Sequence, residues 1–309
     1  MIRVIQHILV LSLLLNTNWV KGQPKDDNIM LKYRDLVSPF KINTILGLPG
    51  DTVELEVLFN KGEPYKLAKA NPGILHQDNK WLFIMPADPG VYQTQLVNQE
   101  VQDTVTINYI SLIPAEMSES GKLQGYRIGN YPPSQKEAYQ PPRGFVKVTE
   151  ENKNLYISPR FQLKQFVCKQ SADYPKMVVL QELLLLKLEL IIDYLRQKDL
   201  NVRRLTVLSG YRTPYYNKSI GNVKFSRHQY GDASDIFVDN NNDHIIDDLN
   251  NDNQHDVKDA RIMYHAINDM MEEQYYSPFA GGMGIYQANS RRTAFVHVDV
   301  RGYRARWGL

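Results

Sequence analysis

Residues 209–235 read Ser-Gly-Tyr-Arg-Thr-Pro-Tyr-Tyr-Asn-Lys-Ser-Ile-Gly-Asn-Val-Lys-Phe-Ser-Arg-His-Gln-Tyr-Gly-Asp-Ala-Ser-Asp. Within them Ser226, His228, Gly231, Ala233 and Asp235 form a compact cluster. An imidazole at His228 and a carboxylate at Asp235 are ordinary Zn²⁺ ligands, and a catalytic zinc takes three protein ligands with a fourth position left for water. Seven apart in sequence, the two are not helix neighbours at i+3 or i+4. The spacing therefore predicts a loop and strand that fold back, with Gly231 and Ala233 allowing tight backbone approach.

Half a metal site needs a third ligand, and the best source is Phe295-Val296-His297-Val298-Asp299-Val300. On a strand, side chains alternate with a period of two. His297 and Asp299 then share one face, while Val296, Val298 and Val300 pack on the other. The first face is chemical and the second is core.

Around these motifs, residues from about Ser158 onward read as an α+β domain. Val178, Val179, Leu183, Leu186, Leu190 and Ile191 recur at helical spacing and predict a helix over about Lys176 to Lys198, its apolar face in the core. Leu205 to Leu208 reads as a buried strand delivering the chain to Ser209. A second helix is expected over Val257 to Gln274, and strands over Gly281 to Tyr286 and Ala294 to Val300. Arg301, Arg304, Arg306 and Trp307 are expected to close the domain by packing. Upstream, residues 28–114 alternate with a β period, as in Val53, Leu55, Val57 and Val105, Ile107, Tyr109. Pro49-Gly50, Pro72-Gly73 and Pro89-Gly90 punctuate the runs. This predicts a small β-sandwich. Between the two, residues 115–157 interleave glycine and proline with Tyr126, Tyr131 and Tyr139, which reads as an ordered connector lying along a surface.

At 309 residues, 43% hydrophobic and 23% charged, the chain has an ordinary globular balance. Arg3, the apolar run Ile8 to Leu15 and Gly22 have the order of a secretory signal peptide over residues 1–22, with an uncleaved anchor as the alternative. The apolar core is too short to span a membrane. Removing Arg3 and Lys21 with the leader takes the net charge from +2 to about 0, which gives no electrostatic reason to expect nucleic acid or a membrane surface as partner. Cys168 is the single cysteine, so no intrachain disulfide forms and it is expected as a small buried residue. The expectation is a periplasmic or secreted monomer with no transmembrane segment after cleavage.

Ser209-Gly210-Tyr211-Arg212-Thr213-Pro214, the Ser226/His228/Gly231/Ala233/Asp235 spacing and His297-Val298-Asp299-Val300 together resemble the zinc D-alanyl-D-alanine carboxypeptidase and murein endopeptidase family, the peptidase M15 type. The resemblance covers residues 158–309 and implies the fold shared with the hedgehog signalling domain. Residues 28–114 more loosely resemble an immunoglobulin-like module. The fold expected is thus an all-β sandwich followed by an α+β zinc peptidase domain. The family resemblance implies His228 and Asp235 as zinc ligands and cleavage of D-Ala-containing stem or crosslink peptides of peptidoglycan. Relatives that carry Glu-x-x-His use the Glu as base, whereas here Ala294 stands three residues before His297. The preferred assignment is His297 as third ligand with Asp299 as general base or as its orienting partner; the reverse assignment puts Asp299 on zinc. Arg212 is the candidate to hold a substrate carboxylate or the oxyanion. A different class of function stays open, a catalytically silent zinc scaffold that binds wall or surface ligands.

One further motif stands apart. Asp239, Asn241, Asp243 and Asp247 place oxygens at alternate positions like the opening of a calcium loop, and Asp248, Asn250 and Asp252 repeat the spacing. His244 and Asn250 occupy the positions where such loops want Gly and a bidentate Glu. Calcium and a solvated turn are both consistent with it.

Overall fold

The computed structural model describes residues 29–59 and 64–308. The expected signal segment at residues 1–22 lies outside them. Nine strands come first: β1 Met30–Tyr33, β2 Leu36–Ser38, β3 Ile42–Gly47, β4 Thr52–Phe59, β5 Lys66–Leu67, β6 Ile74–Gln77, β7 Lys80–Ile84, β8 Gly90–Asn98 and β9 Asp103–Ser111. They form two sheets, in the orders β2-β1-β4-β7-β6 and β3-β9-β8-β5. Leu31, Leu55, Trp81 and Phe83 from the first sheet pack in one core with Ile45, Leu96, Val105 and Ile107 from the second. Alternation explains this: on β4, Val53, Leu55 and Val57 are buried while Thr52, Glu54 and Glu56 look outward or sit half-buried. The second sheet is mixed, because β3 runs parallel to β9.

A three-stranded sheet then joins the first half of the chain to the second. β10 (Ile113–Pro114) pairs with β13 (Gly144–Val148), and β13 pairs in turn with β14 (Lys176–Val178). Between β10 and β13 lies the short hairpin of β11 (Lys122–Leu123) and β12 (Tyr126–Arg127). The helix expected from Lys176 begins later, as α1 (Glu182–Gln197). Lys176 to Val178 are taken by the ladder with Val146 to Val148, and β-branched Val178 suits that pairing. The halves also meet through side chains: Glu182 accepts from Arg34 Nη1 at 2.7 Å and from the Leu46 amide at 2.8 Å.

The sheet that carries the site has the order β15 (Leu205–Ser209), β16 (Ala233–Val238), β18 (Phe295–Asp299), β17 (Gly282–Tyr286) and β19 (Ala305–Trp307). All neighbours are antiparallel except β17 and β19. Helices α1 and α3 (Val257–Glu272) supply Leu188, Ile191, Met263, Ile267 and Met270 to its core, where they meet Ile236, Val296 and Val298. Short α2 (Pro214–Ser219) follows β15, capped by Thr213, whose hydroxyl accepts from the Tyr216 amide. Among the described residues no helix is long and apolar enough to cross a membrane.

Candidate metal centre

Strand register brings Asp235 and His297 together. Ser209 pairs with Asp235, Asp235 with His297, His297 with Gly284, and Gly284 with Trp307. One row of side chains therefore crosses all five strands, and cross-strand neighbours on one face lie within contact distance. The glycine in that row is required. A Cβ on Gly284 would lie 2.0 Å from Nε1 of Trp307, whose indole covers the strand and comes within 5.2 Å of the His297 ring, centre to centre.

His228 arrives from the side, on a 3-10 turn over Arg227–Tyr230. Gly231 ends that turn at φ +69°, a left-handed conformation in which a Cβ would also meet the Val179 carbonyl at 2.4 Å. The Ser209–Pro214 segment cradles His228 from below. His228 Nδ1 bonds the Gly210 carbonyl oxygen at 2.7 Å, and the Arg212 amide donates to the His228 carbonyl at 3.0 Å. With its Nδ1 proton held there, His228 turns the Nε2 lone pair inward.

Three ligand atoms converge: His228 Nε2, Asp235 Oδ1 and His297 Nδ1. Their separations are 3.1 Å between His228 and Asp235, 3.2 Å between the imidazoles, and 2.9 Å between His297 and Asp235. A tetrahedral zinc with bonds of about 2.0–2.1 Å has ligand–ligand edges of roughly 3.3 Å, so the triangle is close to one face of such a tetrahedron. All three residues are buried, and among the described residues this is the sole group of His, Cys, Asp or Glu gathered in this way. A buried carboxylate and two imidazole nitrogens brought this close are suited to a cation.

The electrostatics agree. Burial lowers the affinity of His228 for a proton, and the Asp235 charge offsets this only in part. Burial acts the same way on His297, but hydrogen bonds to Asp235 and Asp299 outweigh it and raise its pKa. For Asp235 burial would favour the neutral acid, yet His228 and His297 hold it well below the usual carboxylate range. Positive charge is favoured between these groups, whether it comes as a proton or as a metal ion.

Arg212 lines a cleft beside this centre. Its Nη2 donates to Asp235 Oδ2 at 2.5 Å and its Nε to Ser209 Oγ at 2.9 Å, so the guanidinium is fixed edge-on to the carboxylate oxygen that faces away from the histidines. Asp299 stands on the far side of His297, 3.2 Å from Nε2 and with no exposed surface. Its carboxylate also accepts from the Gly282 amide at 2.7 Å and from both the amide and guanidinium of Arg301. Burial would raise its pKa, but His297 and Arg301 hold it far below the usual range.

Arg301 is a residue that sequence reading placed only in domain closure. Its spacing of two from Asp299, just past the end of the strand, was the available signal. Lys187, buried in the apolar face of α1, was not singled out at all. Its Nζ donates to the carbonyls of Asp299 at 2.8 Å and Phe279 at 3.0 Å, securing the end of β18 from beneath. The connector also reaches the site. Tyr131 shares a 3.0 Å hydrogen bond with Tyr211, and Tyr139 packs edge-on against Phe225 and Tyr230. Arg227 pairs with buried Asp232 and donates to the Ala138 carbonyl, tying this segment to the turn that carries His228.

Among the described residues the acidic stretch brings no three carboxylate or imidazole ligand atoms together as the His228 group does. Asp239 accepts from Thr206 Oγ1 and from the Asp243 amide, Asp247 from the Asn240 amide, and Asn241 donates to Asp243. The carboxylates mostly serve their own loop. His244 and Asn253 each take a left-handed backbone, at φ +65° and +60°, in the sixth position where a calcium loop has glycine.

Residues 159–265 match the family model described as Peptidase M15. The match takes in Arg212, His228 and Asp235 and ends before His297 and Asp299. No curated protein and no solved structure matches the chain.

Proposed function

We propose that this chain, whose residues 159–265 match the Peptidase M15 family model, is an exported zinc metallopeptidase that hydrolyses peptide bonds of bacterial peptidoglycan, in D-Ala-containing stem or crosslink peptides. The observation that carries this is the triangle of His228 Nε2, Asp235 Oδ1 and His297 Nδ1 beside a cleft lined by Arg212. Zinc held by these three would supply a Lewis acid that polarises the scissile carbonyl and acidifies a water. Arg212, already fixed by Asp235 and Ser209, presents the rest of its guanidinium to the cleft, where it would hold the oxyanion that develops on that carbonyl. Asp299 is best read as a positioning residue: it fixes the His297 ring so that Nδ1 faces Asp235 Oδ1 and His228 Nε2, which together would hold the metal, and its oxygens are already occupied by Arg301 and Gly282. Trp307 lies against one side of His297.

The leader-like order of Arg3, the apolar run and Gly22 supports export, and the family supports a wall peptide as substrate. The immunoglobulin-like reading of residues 28–114 rests on two facing sheets with a common core, and a role in holding the enzyme at the wall fits that position in the chain. The rival reading, a zinc scaffold without catalysis, draws on the full engagement of Asp299; the cleft beside the metal ligands favours catalysis. Digestion of purified peptidoglycan by the protein and by His228→Ala, with products separated by mass, tests the proposal. New zinc-dependent muropeptides that vanish in the variant are expected. A wild-type protein that holds zinc and leaves the wall intact would overturn the peptidase.

A further inference from the structure

The cleft beside Asp235 has a volume of about 290 Å³, at the small end for ligand sites. Four cations line it, Lys169, Arg212, Arg291 and Arg292, against a single carboxylate, Asp235. Its formal balance is thus +3, from four positive groups and one negative, before any metal is counted. Arg212 has Asp235 as partner. Lys169, Arg291 and Arg292 have no ion pair with a carboxylate among the described residues. Like charges around a small concavity repel, and low-dielectric walls strengthen that field inside the cleft.

The turn that carries two of these cations is held in place, and so is the Arg292 side chain. Asn289 to Arg292 form a tight turn, closed by the Asn289 amide on the Arg292 carbonyl at 2.9 Å and by the Arg291 amide on Asn289 Oδ1 at 2.9 Å. The Arg292 guanidinium lies over the rings of Phe295, 4.7 Å from its centre, and Tyr286, at 5.5 Å. Lys169 comes from the segment just before β14, so two separate parts of the chain present positive charge to one cleft.

We propose that Lys169, Arg291 and Arg292 form a carboxylate-binding subsite that selects substrates with a free carboxylate within a residue or two of the scissile bond. The subsite rests on the peptidase reading of the same site; a terminal carboxylate held there would correspond to carboxypeptidase action and a side-chain carboxylate to endopeptidase action. Guanidinium and ammonium groups bind a carboxylate through charge-assisted hydrogen bonds, and a small cleft of this sign suits the end of a peptide better than its middle. A side-chain carboxylate next to the scissile bond offers the same chemistry, so the test separates the two sources.

Three synthetic stem peptides are compared on the zinc-loaded full chain: the free acid, its C-terminal amide, and the free acid with its side-chain carboxylate amidated. Both kcat/KM and binding by calorimetry are measured, the latter so that recognition is read whether or not the bond is cut. The free acid should exceed the C-terminal amide by about tenfold or more, the size expected for charge-assisted hydrogen bonds. In the Lys169→Gln/Arg291→Gln double variant that ratio should fall to about one. A preference that follows the side-chain carboxylate keeps the subsite and changes its source, making the enzyme indifferent to a free terminus. Equal binding and cleavage of all three peptides would overturn the subsite while leaving the peptidase intact. Selective binding without cleavage would overturn the peptidase and leave the subsite standing.

Discussion

Oδ2 of Asp299 lies 3.2 Å from Nε2 of His297, and the same carboxylate is gripped from its other side by Arg301. The arrangement is a relay of orientation. Arg301 and the Gly282 amide fix Asp299, Asp299 fixes the imidazole, and the imidazole turns Nδ1 to within 2.9 Å of Asp235 Oδ1. A carboxylate in that position raises the basicity of a ligand histidine and sets its tautomer.

Asp299→Asn keeps the shape and removes the charge. Zinc affinity should fall about 10- to 100-fold, the range seen when such partners are removed, as measured by competition with a chromophoric chelator. Unchanged zinc affinity with lost turnover and a lost acidic limb of the pH profile would instead assign Asp299 as the general base.

His228, Asp235 and His297 should each be needed for the metal, and Arg212 should not. Wild type is expected to bind one zinc, and free zinc at about a hundredfold over Kd should stabilise it by roughly 2.7 kcal/mol. Alanine at any of the three ligands should abolish the zinc-dependent rise in Tm. Arg212→Ala should retain that rise and lose about 10²–10³-fold in kcat, the cost of one oxyanion donor. Loss of the metal in Arg212→Ala would show that its grip on Asp235 matters more than its place in the cleft.

Lys187 gives a pH signature. Burial, opposed in part by Asp299, pulls its pKa from 10.5 down to about 8. Below about pH 8 the ammonium is charged in both states and its desolvation cost is fully present. Between about 8 and 10.5 the unfolded chain binds the proton and the folded one does not, so this group's contribution to stability rises with pH. Lys187→Met removes that rise and leaves two carbonyls without their donor, at about 1–3 kcal/mol each. Denaturant unfolding should therefore show wild type ahead at neutral pH by an amount that grows as pH rises from 8. A constant gap would mean that Lys187 keeps an ordinary pKa.

Gly284→Ala places a methyl group against the indole of Trp307. Relief requires Trp307 to leave its 2.8 Å hydrogen bond to the Tyr286 hydroxyl and its place beside His297. A loss of about 1–3 kcal/mol is expected from overpacking, together with changed indole emission and weakened activity. Wild-type emission with reduced stability would show that the backbone of β17 moved instead.

Much of the second half was legible because its signals are local. Helices α1 and α3 follow apolar periodicity, the alternation around His297 marks a strand, and Ser226 to Asp235 carries its turn glycine within it. The start of α1 was not legible. Lys176 to Val178 satisfy a helical pattern, but their backbone groups are claimed by Val146 to Val148, thirty residues away in sequence. The acidic stretch after Asp239 was ambiguous for a related reason, since oxygen spacing does not say whether the carboxylates face an ion or their own amides.

The sequence by itself determined the ligand types, their order, and the family to which residues 159–265 are similar, because these depend on residue identity and short spacing. The tertiary structure decided what touches what. Register across five strands set Asp235 beside His297 and placed Trp307 over Gly284. Packing beneath the sheet brought Lys187 to the Asp299 carbonyl, and a turn at Asn289 brought Arg291 and Arg292 to face Lys169. Each of these contacts joins residues far apart in the chain, and pairing at that distance leaves no local pattern to read.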